Sequence, residues 1–306
     1  MKQCWLDGAE SLTLPGVSQN LPLWCLHFWS NLHLIVYPAH VSWQQALTWL
    51  QGDDLDLFQD QVCTTCKSLA TVSWSGNLLA LSMNQTQFTK LTLLNFLSCG
   101  WLPDEEVDLV IHLLEAEVKL TLPSHNIHFV DTVLSRKILE VYDADLMGEK
   151  VYDPKGTTFL HHFRAGLSKN SKLAVIFHVN DNHWIAITVD VSLQDLLYGD
   201  PAQLPINSCI VSTLWWFLSK YVPSLPLDQL NNGVLPCPKQ SFSIDTWSCG
   251  IYSFNRLAHY FLKQYPLVEN TSSPVFGDLT QMTMLRKIIE RCNTIVSLSV
   301  STLCLH

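Results

Sequence analysis

The chain has 306 residues, 48% hydrophobic and 15% charged. That balance excludes general disorder and supplies ample core for one compact body of one or two domains. A formal net charge of −9 excludes a general nucleic-acid or membrane-surface binder, because neither polyanion attracts an acidic protein.

The opening residues, MKQCWLDGAES, lack the apolar run and small-residue cleavage pattern of a secretory signal, and their acids come too early for a transit peptide. An intracellular setting, nucleus or cytoplasm, is expected. Residues 1–71 are rich in Trp and Leu, and Trp43, Ala46, Leu47 and Leu50 recur at helical spacing. This predicts a helical N-terminal extension. The most apolar window, Leu21 to Tyr37, is interrupted by His27, Ser30, Asn31 and His33 and falls short of the ~20 apolar residues of a membrane span. It reads as a core helix. Asp53, Asp54 and Asp56 read as a solvated turn. Cys63 and Cys66 form a CxxC with no second pair at finger spacing, so they read as a chance or structural pair and no metal site is expected. The remaining cysteines, in a chain of ten, read as reduced thiols.

From Val72 to Leu81 the pattern turns strand-like, and the rest of the chain, 72–306, mixes strands with helices. In WLPDEEVDLVIHLLEAEV, Pro103 and the acids Asp104, Glu105 and Glu106 suit a helix's first turn, with Val107, Val110, Ile111, Leu114 and Val118 on one apolar face. Leu173 to Pro201 reads as an apolar strand, a polar turn and two further strands. Trp215 and Trp216 sit in an apolar helical stretch and read as core. A helix opens at Cys249 or Gly250 with Ile251, Phe254, Leu257, Ala258 and Phe261 on its buried side, and a last one covers Leu279 to Cys292.

The stretch DTWSCGIYSFN puts a thiol where the positive end of a helix dipole stabilises a thiolate. Cys249 is thereby the candidate nucleophile, and Gly250 after it permits close approach of a substrate chain. A nucleophilic cysteine needs an imidazole, and the imidazole an orienting group. His183 opens the strand HWIAITVD, at a strand end where sites form. If Val191 and Ser192 are the centre of a hairpin turn, residues whose numbers sum to 383 face each other, so His183 lies opposite Asp200 with Cβ atoms roughly 5 Å apart. Asp190 is an odd number of residues from His183, on the other face and roughly 23 Å away.

His-Trp, an Asp seventeen residues later and a distant Asp-Thr-Trp-Ser-Cys-Gly together resemble the ubiquitin-like protein-specific, SUMO-deconjugating (sentrin-specific) cysteine proteases. The segment LTLLNFLSCGWLPDEEVDLVIHLL, Leu91 to Leu114, is similar to that family's tryptophan-containing segment before its first helix, and the N-terminal extension resembles copies carried by fungal mobile elements. The likeness covers about Val72 to Cys292 and makes 72–306 the catalytic domain. It implies an α+β papain-like cysteine protease fold, with the nucleophile on a helix N-terminus packed on a mixed or antiparallel sheet. It also implies a monomer that acts on a ubiquitin-like modifier of SUMO type and its conjugates, without metal or organic cofactor. His183 would be the general base, Asp200 its orienting partner and Cys249 the nucleophile attacking the carbonyl after a terminal Gly-Gly. Trp101 and Trp184 would clamp the glycine tail, with Asp104 and Gly250 also on the substrate side. Flat aromatic walls that admit only a chain without side chains select glycine.

The family's oxyanion-stabilising Gln, six residues before its nucleophile, is replaced here by Ser243. The loss of such a donor costs roughly 10²- to 10³-fold in rate. Either the Ser243 hydroxyl or Gln240, nine residues before Cys249, would have to substitute. Two other functions therefore stand beside peptidase activity: a pseudoprotease that binds a modifier without cutting, and an acyltransferase on a related fold.

Overall fold

The computed structural model describes residues 10–13, 15–16, 18–72, 89–148, 160, 163, 165–180, 182–222, 230–240, 245–268 and 275–303. The strand expected at Val72 to Leu81 lies almost wholly outside them. Two compact units divide the chain, Met1–Gly52 and Asp53–His306. The division falls ahead of the expected boundary at residue 71.

In the first unit, β1 (Ser11–Leu12) and β2 (Leu21–Pro22) form a short antiparallel pair. Helix α1 (Leu23–Asn31) runs through a π-helical turn (Leu32–Val36) into α2 (Tyr37–Leu50). The helix expected at Leu21–Tyr37 is present, but it is not a core helix: Trp24 is 69% exposed, and Phe28, Trp29, Leu34 and Tyr37 are also exposed. The apolar residues of this window surround the helix instead of forming one stripe, so no single face can bury them all. In α2 the expected spacing does produce a buried side at Ala46 and Leu50.

The second unit opens with a 3-10 turn (Asp53–Phe58) and α3 (Gln59–Ala70), which packs on the last helix of the chain. Cys63 and Cys66 are exposed on α3, and no group of three or more potential metal ligands occurs among the described residues. After a second 3-10 segment (Lys90–Phe96) come α4 (Asp104–Thr121), β3 (Ile127–Val130), α5 (Thr132–Leu146), β4 (Lys172–Val179), β5 (His183–Asp190), β6 (Asp195–Gly199), α6 (Ser208–Tyr221), β7 (Asn231–Val234), α7 (Cys249–Phe261) and α8 (Val275–Leu303). Among the described residues no helix is long and apolar enough to cross a membrane.

The sheet has the order β3-β4-β5-β6-β7 and is mixed. Its three central strands pair antiparallel, while β3 joins β4 and β7 joins β6 in parallel. One face carries Leu173, Val175, Phe177, Ile185, Ile187, Val189 and Leu196 against Leu134 and Ile138 of α5 and Leu214 and Phe217 of α6. The other face receives α7, which lies along β5. Covered on both sides, β5 is buried at every residue, and its interior from Trp184 to Val189 is apolar apart from Thr188, where a half-exposed strand would alternate. Helix α4 packs against α7 and is buried well beyond its expected stripe, with Glu106, Asp108 and His112 also inside. Asp108 is accommodated by accepting from the backbone N–H and the hydroxyl of Thr132 at the start of α5. Trp215 and Trp216 are half-buried beside a fully buried Phe217.

Candidate active site

The hairpin register differs from the expected one. Ala186 pairs with Gly199 and Asp190 with Asp195, so paired numbers sum to 385. The connection is a four-residue turn, 191–194, with Gln194 in the left-handed region at φ 57°. The Asp190 carboxylate accepts from the N–H groups of Ser192 and Leu193 and from the Ser192 hydroxyl, and it pairs with Lys172 at 2.5 Å. These bonds favour the longer turn. A slip of two preserves side-chain parity, so Asp200 keeps the face of His183 but stands diagonal to it. Diagonal neighbours remain within reach of long side chains. His183 Nε2 lies 2.6 Å from Asp200 Oδ1, with both side chains buried.

The carboxylate is held from three directions. Oδ1 also accepts from the Ala202 N–H at 2.6 Å, and Oδ2 accepts from the Tyr198 hydroxyl at 3.3 Å. Just beyond, Gln203 at φ 59° donates its amide to the carbonyls of Asp200 and Cys237, fixing the turn that follows the strand. Tyr198 was legible in principle, since it lies two residues before Asp200 on the same face; Gln203 has no sequence signal short of its left-handed backbone.

Cys249 is the first residue of α7 and is 1% exposed. It interacts with His183, whose Nε2 is committed to Asp200, leaving Nδ1 for the thiol. Burial opposes a charged His183, but hydrogen bonding and charge from Asp200 and Cys249 outweigh it and raise the imidazolium pKa from 6.5 to about 9. Two residues that the sequence did not single out hold the approach to Cys249. Asp245 Oδ1 accepts from the N–H groups of Trp247 and Ser248 at 3.2 and 3.0 Å, and Cys237 is buried with its Sγ 3.7 Å from the Tyr252 carbonyl. An Asx turn before a helix is a recognisable sequence device, and Asp245 was visible as one.

Of the two candidate oxyanion donors, Ser243 lies outside the described residues. Gln240 is 2% exposed, and its N–H donates to the Pro201 carbonyl at 2.8 Å, which ties it to the residue after Asp200. Its side-chain amide is buried with neither atom hydrogen-bonded among the described residues. Such a group costs free energy until a partner arrives.

The two tryptophans bracket the nucleophile segment unequally. Trp184 is 1% exposed, donates Nε1–H to the Leu102 carbonyl at 3.0 Å and stacks on His178 at 4.5 Å. It forms a fixed wall and not an open jaw. A Cβ on Gly250 would approach its ring to 3.2 Å, with Val107 and Leu102 behind, so Gly250 serves the close packing of α7 onto β5 and α4. Trp101, 37% exposed, donates its indole N–H to the Thr246 carbonyl. Asp104 pairs with Arg136 of α5, so its carboxylate is already engaged within the chain.

A thiol at a helix start, a paired imidazole and a carboxylate behind it can carry out nucleophilic acyl transfer through a thioester. No protein-family model matches the chain, and no curated protein sequence does. Solved structures match in shape. The C-terminal Ulp1 protease domain in complex with Smt3, the yeast orthologue of SUMO, superposes with a TM-score of 0.51 at 15% identity, covering 76% of this chain and 95% of that one. The catalytic domain of the Chaetomium thermophilum Ulp1-like SUMO protease superposes with a TM-score of 0.56 at 11% identity, over 76% and 88%. An Ulp1 whose catalytic cysteine is oxidised to a sulfenic acid gives 0.51 at 16%, over 76% and 94%. Over about three quarters of its length, the 76% these matches cover, the chain thus has the papain-like fold of the Ulp1-type SUMO protease catalytic domains.

Proposed function

We propose that this chain is a cysteine peptidase that cleaves after the C-terminal Gly-Gly of SUMO or a related ubiquitin-like modifier. The observation that carries the reading is the convergence of Cys249 at the start of α7, His183 and Asp200 on this fold. His183 is the general base that takes the proton from the Cys249 thiol. The sulfur then attacks the carbonyl carbon of the second glycine, and the C=O electrons move onto oxygen. The Cys249 backbone N–H and the Gln240 amide are the donors for that oxyanion, a role that suits a buried amide with no hydrogen-bond partner among the described residues. His183 then gives its proton to the leaving amine, and a water activated by the same imidazole hydrolyses the thioester. Asp200 keeps Nε2 occupied throughout, so that Nδ1 is the nitrogen that exchanges protons. Trp184 and Trp101 are the walls of the channel for the glycine tail.

Labelling with SUMO and with ubiquitin bearing a C-terminal thiol-reactive group tests this. An adduct that forms with wild type, vanishes in Cys249→Ala and slows in Gln240→Ala is the expected result. Reversible binding of either modifier without any adduct would make the chain a binding module instead.

A further inference from the structure

Helix α8 meets the nucleophile segment at its first turn, Val275 to Asp278. A Cβ built on Gly277 would lie 2.1 Å from Ser248 Oγ, 2.9 Å from Ser248 Cβ and 3.4 Å from the Tyr252 hydroxyl. Rotation of the Ser248 hydroxyl relieves the first contact but not the second, because Cβ moves only with the backbone. The next residue, Asp278, is buried and faces the Trp247 indole N–H at 3.5 Å. From the opposite side Asp245 accepts from the backbone of both Trp247 and Ser248, and the Ser248 carbonyl accepts from Tyr252 N–H at 2.9 Å in the first turn of α7. The two residues immediately before Cys249 are therefore gripped between an Asx turn and the start of a distant helix. Ser248 has no measurable exposure and no slack in which to move.

We infer that the first turn of α8 is a positioning element for the nucleophile, with Gly277 and Asp278 setting the place of Ser248 and Trp247 and hence of the Cys249 thiol against His183. The inference rests on the reading of Cys249 as a nucleophile paired with His183, though not on the identity of the substrate. A displacement of Ser248 passes directly to the residue after it, and misplacement of a reacting atom by about 1 Å costs on the order of 100-fold in rate. Neither Gly277 nor Asp278 touches the reacting atoms, and both act through Ser248 and Trp247.

The test is Gly277→Ala, with the second-site change Ser248→Gly to restore the space, and Gly166→Ala as a remote control. A Cβ at Gly166 would meet His128 Cε1 at 2.9 Å, a similar crowding away from the site. The primary readout is the rate of alkylation of Cys249 by iodoacetamide as a function of pH, followed by mass spectrometry at that residue, which needs no modifier substrate. Gly277→Ala should slow alkylation near neutral pH by on the order of 10- to 100-fold and alter its pH profile, because the displaced sulfur loses its His183 partner. The double variant should recover the wild-type profile, and Gly166→Ala should leave it unchanged. On a cleavable modifier substrate the same variant should lose kcat with KM little altered. An unchanged alkylation profile in Gly277→Ala, or a loss that Ser248→Gly does not relieve, would overturn the inference. If wild type reacts with iodoacetamide at Cys249 in a His183-dependent way but forms no modifier adduct, the substrate assignment fails while this inference is still decided by the alkylation series.

Discussion

Replacing Asp200 by Asn keeps the shape of the side chain and removes its charge. In the intact site burial disfavours a charged imidazole, yet Asp200 and Cys249 together lift His183 from 6.5 to about 9. At 1.36 kcal/mol per pH unit, that interval is roughly 3 kcal/mol of preference for imidazolium. Solvent screens little of it, since the two side chains are only 7% and 3% exposed. Hydrogen bonding and charge from Asp200 are both among the causes of that rise, so the Asn variant should titrate His183 lower by on the order of one pH unit or more. The sign for stability follows from the raised folded value. The stabilisation is complete below 6.5 and disappears as the pH rises through about 9, so Asn should flatten that decline. NMR titration of the His183 ring and urea unfolding across that window check the two consequences. A His183 that titrates at the wild-type pH in Asp200→Asn would refute the reasoning, because the charge of the carboxylate would then have no part in holding the imidazolium.

Two further outcomes are expected. Burial raises Asp278 from 3.8 to about 7, Trp247 opposes the rise and Asp245 and Asp54 add to it. Its contribution to stability is therefore present below 3.8 and lost as the pH climbs through about 7, and Asp278→Asn should become more stable than wild type above that point, by up to roughly 4 kcal/mol; equal unfolding midpoints at alkaline pH would count against the assigned burial. Trp184→Ala removes a fully buried ring and strands the Leu102 carbonyl that accepts its indole N–H, so urea unfolding should show a loss of about 3–5 kcal/mol. A loss well under 1 kcal/mol would mean that the ring is not the packed wall described above.

Much of the site could be read from residue order because strand parity and helix termini are local properties. A thiol one residue before a helical glycine, and a His and an Asp on strands joined by a short turn, are decided by spacings of two and of 3.6. The register of that turn was not legible as a two-residue hairpin, since Asp190 folds back onto the N–H groups of Ser192 and Leu193 and makes a wider connection. Burial was misjudged in two opposite directions. The Leu21 to Tyr37 window is apolar in composition but has no single stripe to bury, while α4 hides Glu106 and His112, which no helical-face argument would put inside. Gln240 illustrates the limit most plainly. Its spacing from Cys249 offered only an option, and its enclosed amide, without a hydrogen-bond partner among the described residues, emerges when residues 201 and 240 meet across the fold.

The four-residue connection between β5 and β6 has an implication for how such a pair survives sequence change. Carboxylate and imidazole are held by adjacent strands whose alternation repeats every two residues, so a strand slip of two would swap a diagonal meeting for a direct one and leave the partners in contact. A slip of one would turn the carboxylate to the opposite side of the sheet and abolish the pair. The hairpin thus tolerates a two-residue slip in that direction, while a one-residue slip, or a two-residue slip the other way that sets the partners four positions apart, ends the pairing.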